Sequence, residues 1–198
     1  AVDRFQWAII DWSSWDDTYE FVQDANPEYI ESNLMDDTFW SLKVNLMMFV
    51  NNADEIVYTK VIDVDQAEQV RLLEAFEETA RSDDRFLHLT TGRVVSGFII
   101  IGGEPLIVAS RPILRSDDAG PQAGTLIWAR HLNQQELAAI SSSLRLSVDL
   151  YNSDYFDLPG DIIAAQKTLS SASPQIVREI NENAIGGYAP LPDNYDNP

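Results

Sequence analysis

Cysteine is missing from all 198 residues, which excludes disulfides, thiol chemistry and thiolate metal sites. Lysine is nearly as scarce, with Lys43, Lys60 and Lys167 the only three. Bases number 13 against 32 acids, a formal net charge of −19. Such a surface repels phosphate, so nucleic acid and anionic lipid are excluded as partners. No run of about 20 apolar residues and no signal peptide is present. The most apolar stretches, Val44–Val50 and Gly97–Ile101, are short and read as buried strands. The 45% of hydrophobic residues is too high for disorder, and the length suffices to bury a core.

Catalytic signatures are absent too. There is no helical His-Glu pair, no calcium-loop pattern and no GxSxG. Asp154 with Asp157 and Asp193 with Asp196 lie in loops without the glycine placement that calcium sites need. His88 and His131 are far apart and unpaired in the sequence. Gly102-Gly103 reads as a hairpin turn, not a phosphate cradle. No catalytic residue, no metal and no cofactor is expected.

The richest segment is Asp11–Leu34, DWSSWDDTYEFVQDANPEYIESNL. Phe5, Ile9, Trp12, Trp15, Tyr19 and Val22 recur at helical spacing, so one amphipathic helix is expected to run to about Asp24. Asn26-Pro27 stops it, and Pro27 opens a short helix over Glu28–Ser32. Asp36 or Asp37 can cap a third, through Leu42. Strands follow at Asn45–Val50 and Glu55–Ile62 around the Asn51–Asp54 turn. Asp65 is expected to cap a helix from Gln66 to Ala80, broken by Asp83-Asp84. Val94–Ile101 and Leu106–Leu114 form a hairpin, and Gly124–Arg130 a further strand. A helix from Asn133 to about Ser143, a strand over Leu144–Tyr151, a helix over Pro159–Ser170 and a strand over Ile176–Ile180 complete the pattern. Helices first, then antiparallel strands with helices inserted, predict an α+β fold built on one central sheet. No linker divides the chain, so 1–198 is expected to be a single domain. It opens already inside a helical pattern, as a domain excised from a longer protein would.

Several of these residues together resemble a known family, the fourth class of extracytoplasmic CHASE sensor domains. The landmarks are Trp12, Trp15-Asp16-Asp17-Thr18-Tyr19, Phe21-Val22, Tyr29-Ile30 and Asn33-Leu34. They continue through Asn45, Phe49, Val57-Tyr58, Arg111-Pro112-Ile113-Leu114, Ser116-Asp117, Gly120-Pro121, Gly124-Thr125-Leu126, Arg130, Ile185, Gly187-Tyr188 and Asp193. The resemblance implies a PAS-like or Cache-like domain between two membrane helices, a long N-terminal helix lying against an antiparallel sheet. It implies tethering to the membrane through segments outside this chain, and a histidine kinase or cyclic-di-GMP output module. A homodimer in the intact receptor is consistent with it. The family pattern runs past Asp193–Pro198 into one more strand, and the helix leading from the membrane is largely missing before Ala1.

Six residues are candidate ligand contacts: Trp15, Asp16, Tyr19, Asn33, Arg111 and Arg130. Asp16 beneath aromatics can receive an amine, with Trp15 or Tyr19 adding cation–π contact; alternatively it holds the helix to the sheet through a backbone N–H or an Arg. Arg111 and Arg130, in or at the end of strands, can bind a carboxylate bidentately or form salt bridges within the fold. Trp12, Trp15 and Tyr19 are either core or pocket wall. Asn33 is a helix-end hydrogen bonder unless it faces the ligand. A small-molecule sensor of unidentified ligand is the leading expectation; a protein-interaction or spacer domain is the alternative.

Overall fold

The computed structural model describes residues 2–62, 66–82, 95–101, 103–117, 120–153 and 157–191. Four helices come first: α1 Val2–Ser13, α2 Asp16–Asp24, α3 Pro27–Asn33 and α4 Asp36–Leu42. Then follow β1 Leu46–Asn51, β2 Ile56–Val61, α5 Gln66–Ser82, β3 Val95–Ile101, β4 Glu104–Ile113 and β5 Gly124–His131. The chain ends with α6 Gln134–Leu144, α7 Gly160–Gln166, β6 Ile176–Asn181 and β7 Ala184–Tyr188. Two compact units result, one over residues 1–136 and a smaller one over 137–192.

In the first unit five antiparallel strands pair in the order β2-β1-β5-β4-β3, the central sheet of the α+β fold that the sequence predicts and PAS-like as the family resemblance implies. Every residue of β5 is buried, because both faces of this central strand are covered. One face joins Leu46, Met48, Val108 and Ile127 to Leu72 and Phe76 of α5 in an apolar cluster. On α5 Leu72 and Phe76 are buried, while Leu73 is only partly so. Alternation sends Met47, Phe49, Leu126 and Trp128 to the opposite face.

On that opposite face α1 and α2 do not form the single helix expected. Trp15 adopts extended backbone (φ −97°, ψ 139°) as the N-cap of α2. The Ser13 carbonyl accepts from Leu114 N–H at 2.9 Å instead of completing a helical turn. Asp16 and Asp17 then occupy a first turn, where acidic side chains favour a helix N-terminus. Trp12 and Trp15 stack across the corner at 4.8 Å. The break keeps the apolar side facing the sheet, so periodicity alone does not reveal it.

Beyond the corner, Phe21 stacks on Tyr29 at 4.3 Å and meets Phe49 edge-on at 5.0 Å. Each such pair adds about 0.5–1.5 kcal/mol beyond burial. Tyr29 and Thr18 share a hydroxyl hydrogen bond of 2.7 Å. Burial pushes the Tyr29 phenol up to about 12, with the Asp17 charge adding to the rise and Thr18 opposing it. The folded state therefore favours neutral Tyr29. Its contribution is whole below the ordinary value of 10.0 and is lost as pH climbs from there through about 12. Unfolding titrations between pH 9 and 12 should show Tyr29→Phe losing about 2–3 kcal/mol less than the parent. An equal loss in both would contradict this.

Gly124 opens β5 where no side chain fits. A Cβ there overlaps the Val50 carbonyl oxygen and lies 2.8 Å from Val22 Cγ2. Gly124→Ala is expected to destabilise by about 1–3 kcal/mol in chemical denaturation, through forced backbone movement.

In the second unit the strand expected over Leu144–Tyr151 is absent. Helix α6 runs to Leu144, and Arg145 takes left-handed backbone at φ 56°. Leu146 N–H then bonds the Ser141 carbonyl at 3.1 Å, and residues 147–150 have no regular structure. Alternation over a few residues does not make a strand without a partner. Conversely β7, unforeseen, pairs with β6 and brings Tyr188 to donate to Asp161 Oδ2 at 2.8 Å. The expected Asp65 cap, the Asp83-Asp84 break and Gly102 lie outside the described residues.

Candidate functional site

The sheet face beneath α1 and α2 gathers most of the residues singled out from the sequence. In register, Trp128 stands between Met47 and Ala109, Leu126 between Phe49 and Arg111, and Arg130 opposite Ile107. Arg111, Trp128 and Arg130 thus share one face. Helix α1 covers it, with Phe5 at 6.2 Å and Trp12 at 5.8 Å from the Trp128 ring. The Trp15 ring joins this stack through Trp12.

The two arginines differ in how they are satisfied. Arg130 lies 4.7 Å over the Phe5 ring and pairs with Glu136 Oε2 at 3.3 Å. Glu136 is placed by Asn133, whose Oδ1 accepts its backbone N–H at 3.0 Å as α6 begins. Arg111 has no such neighbour: its Nε and Nη1 are buried without a hydrogen-bond partner among the described residues. The Trp128 Nε1 and the Arg130 Nε are unpartnered as well. More than nine-tenths of buried polar groups in folded proteins find partners, so this concentration of idle donors marks the face as unfinished.

Asp16 is not beneath the aromatics. It is exposed, and its carboxylate accepts from Ser116 Oγ at 2.6 Å and Ser116 N–H at 3.2 Å. Those two bonds, the hydroxyl first, hold its carboxyl below the ordinary 3.8, with Arg115 at 3.9 Å assisting. Arg115 also lies 4.3 Å over the Tyr19 ring. The buried Tyr19 donates its hydroxyl to the Pro121 carbonyl at 3.2 Å. Asp16, Tyr19, Arg115 and Ser116 therefore strap the β4–β5 connection to the start of α2. Asn33 closes α3, half-buried, and no described hydrogen bond or ring contact joins it to the other five.

Sequence reasoning missed Arg115, Trp128, Glu136 and Lys60. Lys60 Nζ donates to the Leu34 carbonyl at 2.6 Å and pairs with Asp36 at 2.7 Å, joining the end of α3 to the start of α4. Trp128 was legible as the middle residue of the alternation Leu126, Trp128, Arg130. Glu136 was legible as the residue three past the Asn133 cap. No local signal points from Asp16 to a serine a hundred residues away.

Among the described residues there is no acid or histidine cluster able to hold a metal, and no helix is long and apolar enough to cross a membrane. The model of the CHASE4 domain matches residues 2–151. The chain belongs to the CHASE4 family. A CHASE4 domain is a sensor domain, not a catalytic one. A curated relative, the methanogenesis regulatory histidine kinase FilI of Methanothrix harundinacea (strain 6Ac), is 28% identical over 192 residues. That match takes in 96% of this chain but 21% of the relative, so the chain spans about a fifth of the curated protein it resembles. Among solved structures, the periplasmic domain of Vibrio cholerae LuxQ overlaps with a TM-score of 0.38 at 16% identity, over 89% of this chain and 88% of that one.

Proposed function

We propose that this CHASE4 domain is the extracytoplasmic ligand-sensing part of a membrane-tethered signalling receptor, binding a small molecule on the sheet face beneath α1 and α2. The observation that carries this is Arg111, a charged side chain whose Nε and Nη1 are covered without an acceptor among the described residues. Leaving such donors unmet costs the ligand-free protein, and a ligand that meets them recovers that cost. The Asp16–Ser116 strap and the Ser13–Leu114 bond are the hinge points that hold α1 and α2 to the sheet. A ligand that binds one arrangement of these helices better than another shifts the population between them. Helix α1 then carries the movement toward the membrane, and a histidine kinase or cyclic-di-GMP module reads it inside. The likeness to a histidine kinase supports that output.

A thermal-shift screen of protein unfolded and refolded to strip bound compounds tests this. The panel holds amino acids, carboxylates, polyamines, nucleobases and divalent cations. A ligand at about 100 times its dissociation constant adds about 2.7 kcal/mol, which moves the melting point of a domain this size by about 5–10 °C. One selective chemical class should do so. A well-folded sample that no compound stabilises would move the reading to a protein-interaction or spacer domain.

A further inference from the structure

The idle groups on the α1-covered face also specify what is missing from it, and the inference rests on the sensing role proposed above. We propose that Arg111 and Trp128 receive the carboxylate of a singly charged ligand with an apolar body.

Four observations lead there. First, the unpartnered atoms Arg111 Nε, Arg111 Nη1 and Trp128 Nε1 all donate and none accepts, so the absent partner is an acceptor. They belong to side chains on one sheet face, Arg111 opposite Leu126 and Trp128 two residues further along β5. Second, the guanidinium keeps its charge at any relevant pH. Although the chain holds 32 acids, none pairs with Arg111 among the described residues, whereas Arg130 on the same face is matched by Glu136. A planar carboxylate fits the guanidinium fork with two parallel bonds. Third, a net charge of −19 penalises a doubly charged anion far more than a singly charged one, which separates a carboxylate from phosphate. Fourth, the surroundings are apolar: Phe5, Trp12, Leu126 and Trp128 are all buried. An apolar or aromatic body beside the carboxylate gains burial there.

The orphan hydroxyls of Thr59 and Ser110 lie on the other face, in register with Met48 and Ile127 of the α5 cluster, and take no part. Arg111 is partly exposed whereas Trp128 is fully buried beneath Phe5 and Trp12 of α1, so a ligand that engages Trp128 Nε1 as well as Arg111 displaces that cover. Recognition and helix movement are thereby one event.

The test is titration of the 198-residue chain with phenylacetate, indole-3-acetate and hexanoate, followed by calorimetry and melting. Phenylacetamide serves as the neutral isostere and inorganic phosphate as the multiply charged control. At least one carboxylate should bind and raise the melting point, while phenylacetamide and phosphate do not. Arg111→Met should weaken that binding about 10- to 100-fold, the worth of a charge-assisted pair. Without ligand the same variant should melt at or above the parent, since it removes two covered donors that lack acceptors among the described residues. Should Arg111→Met fail to fold, Arg111→Lys, which keeps the charge but not the fork, and Trp128→Phe, which removes one donor, replace it. Each should weaken the carboxylate selectively. Equal response to phenylacetamide or phosphate, or undiminished binding by the variants, would overturn the assignment. If amines or nucleobases stabilise the fold and no carboxylate does, the ligand class falls while the sensing role stands. If nothing stabilises a folded sample, both fall.

Discussion

Trp128→Ala should lower the free energy of unfolding by about 3–5 kcal/mol. The ring is fully buried at the centre of β5 and packs against both Phe5 and Trp12 of α1. Alanine leaves a cavity between two layers whose backbones are tied by the Ser13–Leu114 bond, so collapse is limited. The aromatic contacts, about 0.5–1.5 kcal/mol each, are lost with it. Because α1 reaches the sheet through this ring, the variant should also expose α1 to amide exchange before the rest of the fold. Urea denaturation with hydrogen exchange reads both effects. A loss under about 1 kcal/mol would show that α1 is held elsewhere.

The second large effect concerns Arg130 and Glu136, whose side chains are 8% and 15% exposed. Glu136→Leu strands the Arg130 guanidinium in a buried position with only the Phe5 face to offset it. Removing one partner of a buried pair costs about 3–5 kcal/mol, because the remaining charge is neither solvated nor paired. Replacing both, Arg130→Met with Glu136→Leu, should restore most of that stability, since the desolvation of two ions disappears together. The double-mutant cycle from denaturant titrations gives the coupling directly. Full additivity of the two single losses would mean that the ion pair does not hold in solution. By contrast the Asp16–Arg115 pair is half-exposed on both sides and contributes little as an ion pair.

These two sites illustrate what the sequence displayed and what it hid. The β1–β2 hairpin was legible because Asn51–Asp54 is turn chemistry between apolar runs, and Asn51 Oδ1 indeed accepts from Ala53 and Glu55 N–H. Helix α3 was legible because Asn26 caps it and Pro27 occupies its first turn. The corner between α1 and α2 was not, because its cause is the bond from Ser13 to Leu114, a hundred residues away. Nor was β7, which has an exposed, glycine-containing sequence and exists through pairing with β6. At the candidate site, residue type marked Arg111 and Arg130 equally. Only tertiary geometry distinguishes the arginine that has an acid from the one that, among the described residues, has none.

The absence of cysteine makes the most direct test simple, because two introduced cysteines are the only attachment points. Glu20→Cys on the exposed side of α2 and Glu104→Cys at the start of β4 report the distance between the helical cover and the sheet. Spin labels at both, measured by pulsed dipolar spectroscopy with and without the compound that stabilises the fold most, follow the proposed movement. A shifted distance distribution is expected on binding, and no shift in the Arg111→Met background. An unchanged distribution with a compound demonstrably bound would contradict it, since binding would then leave the helices where they are.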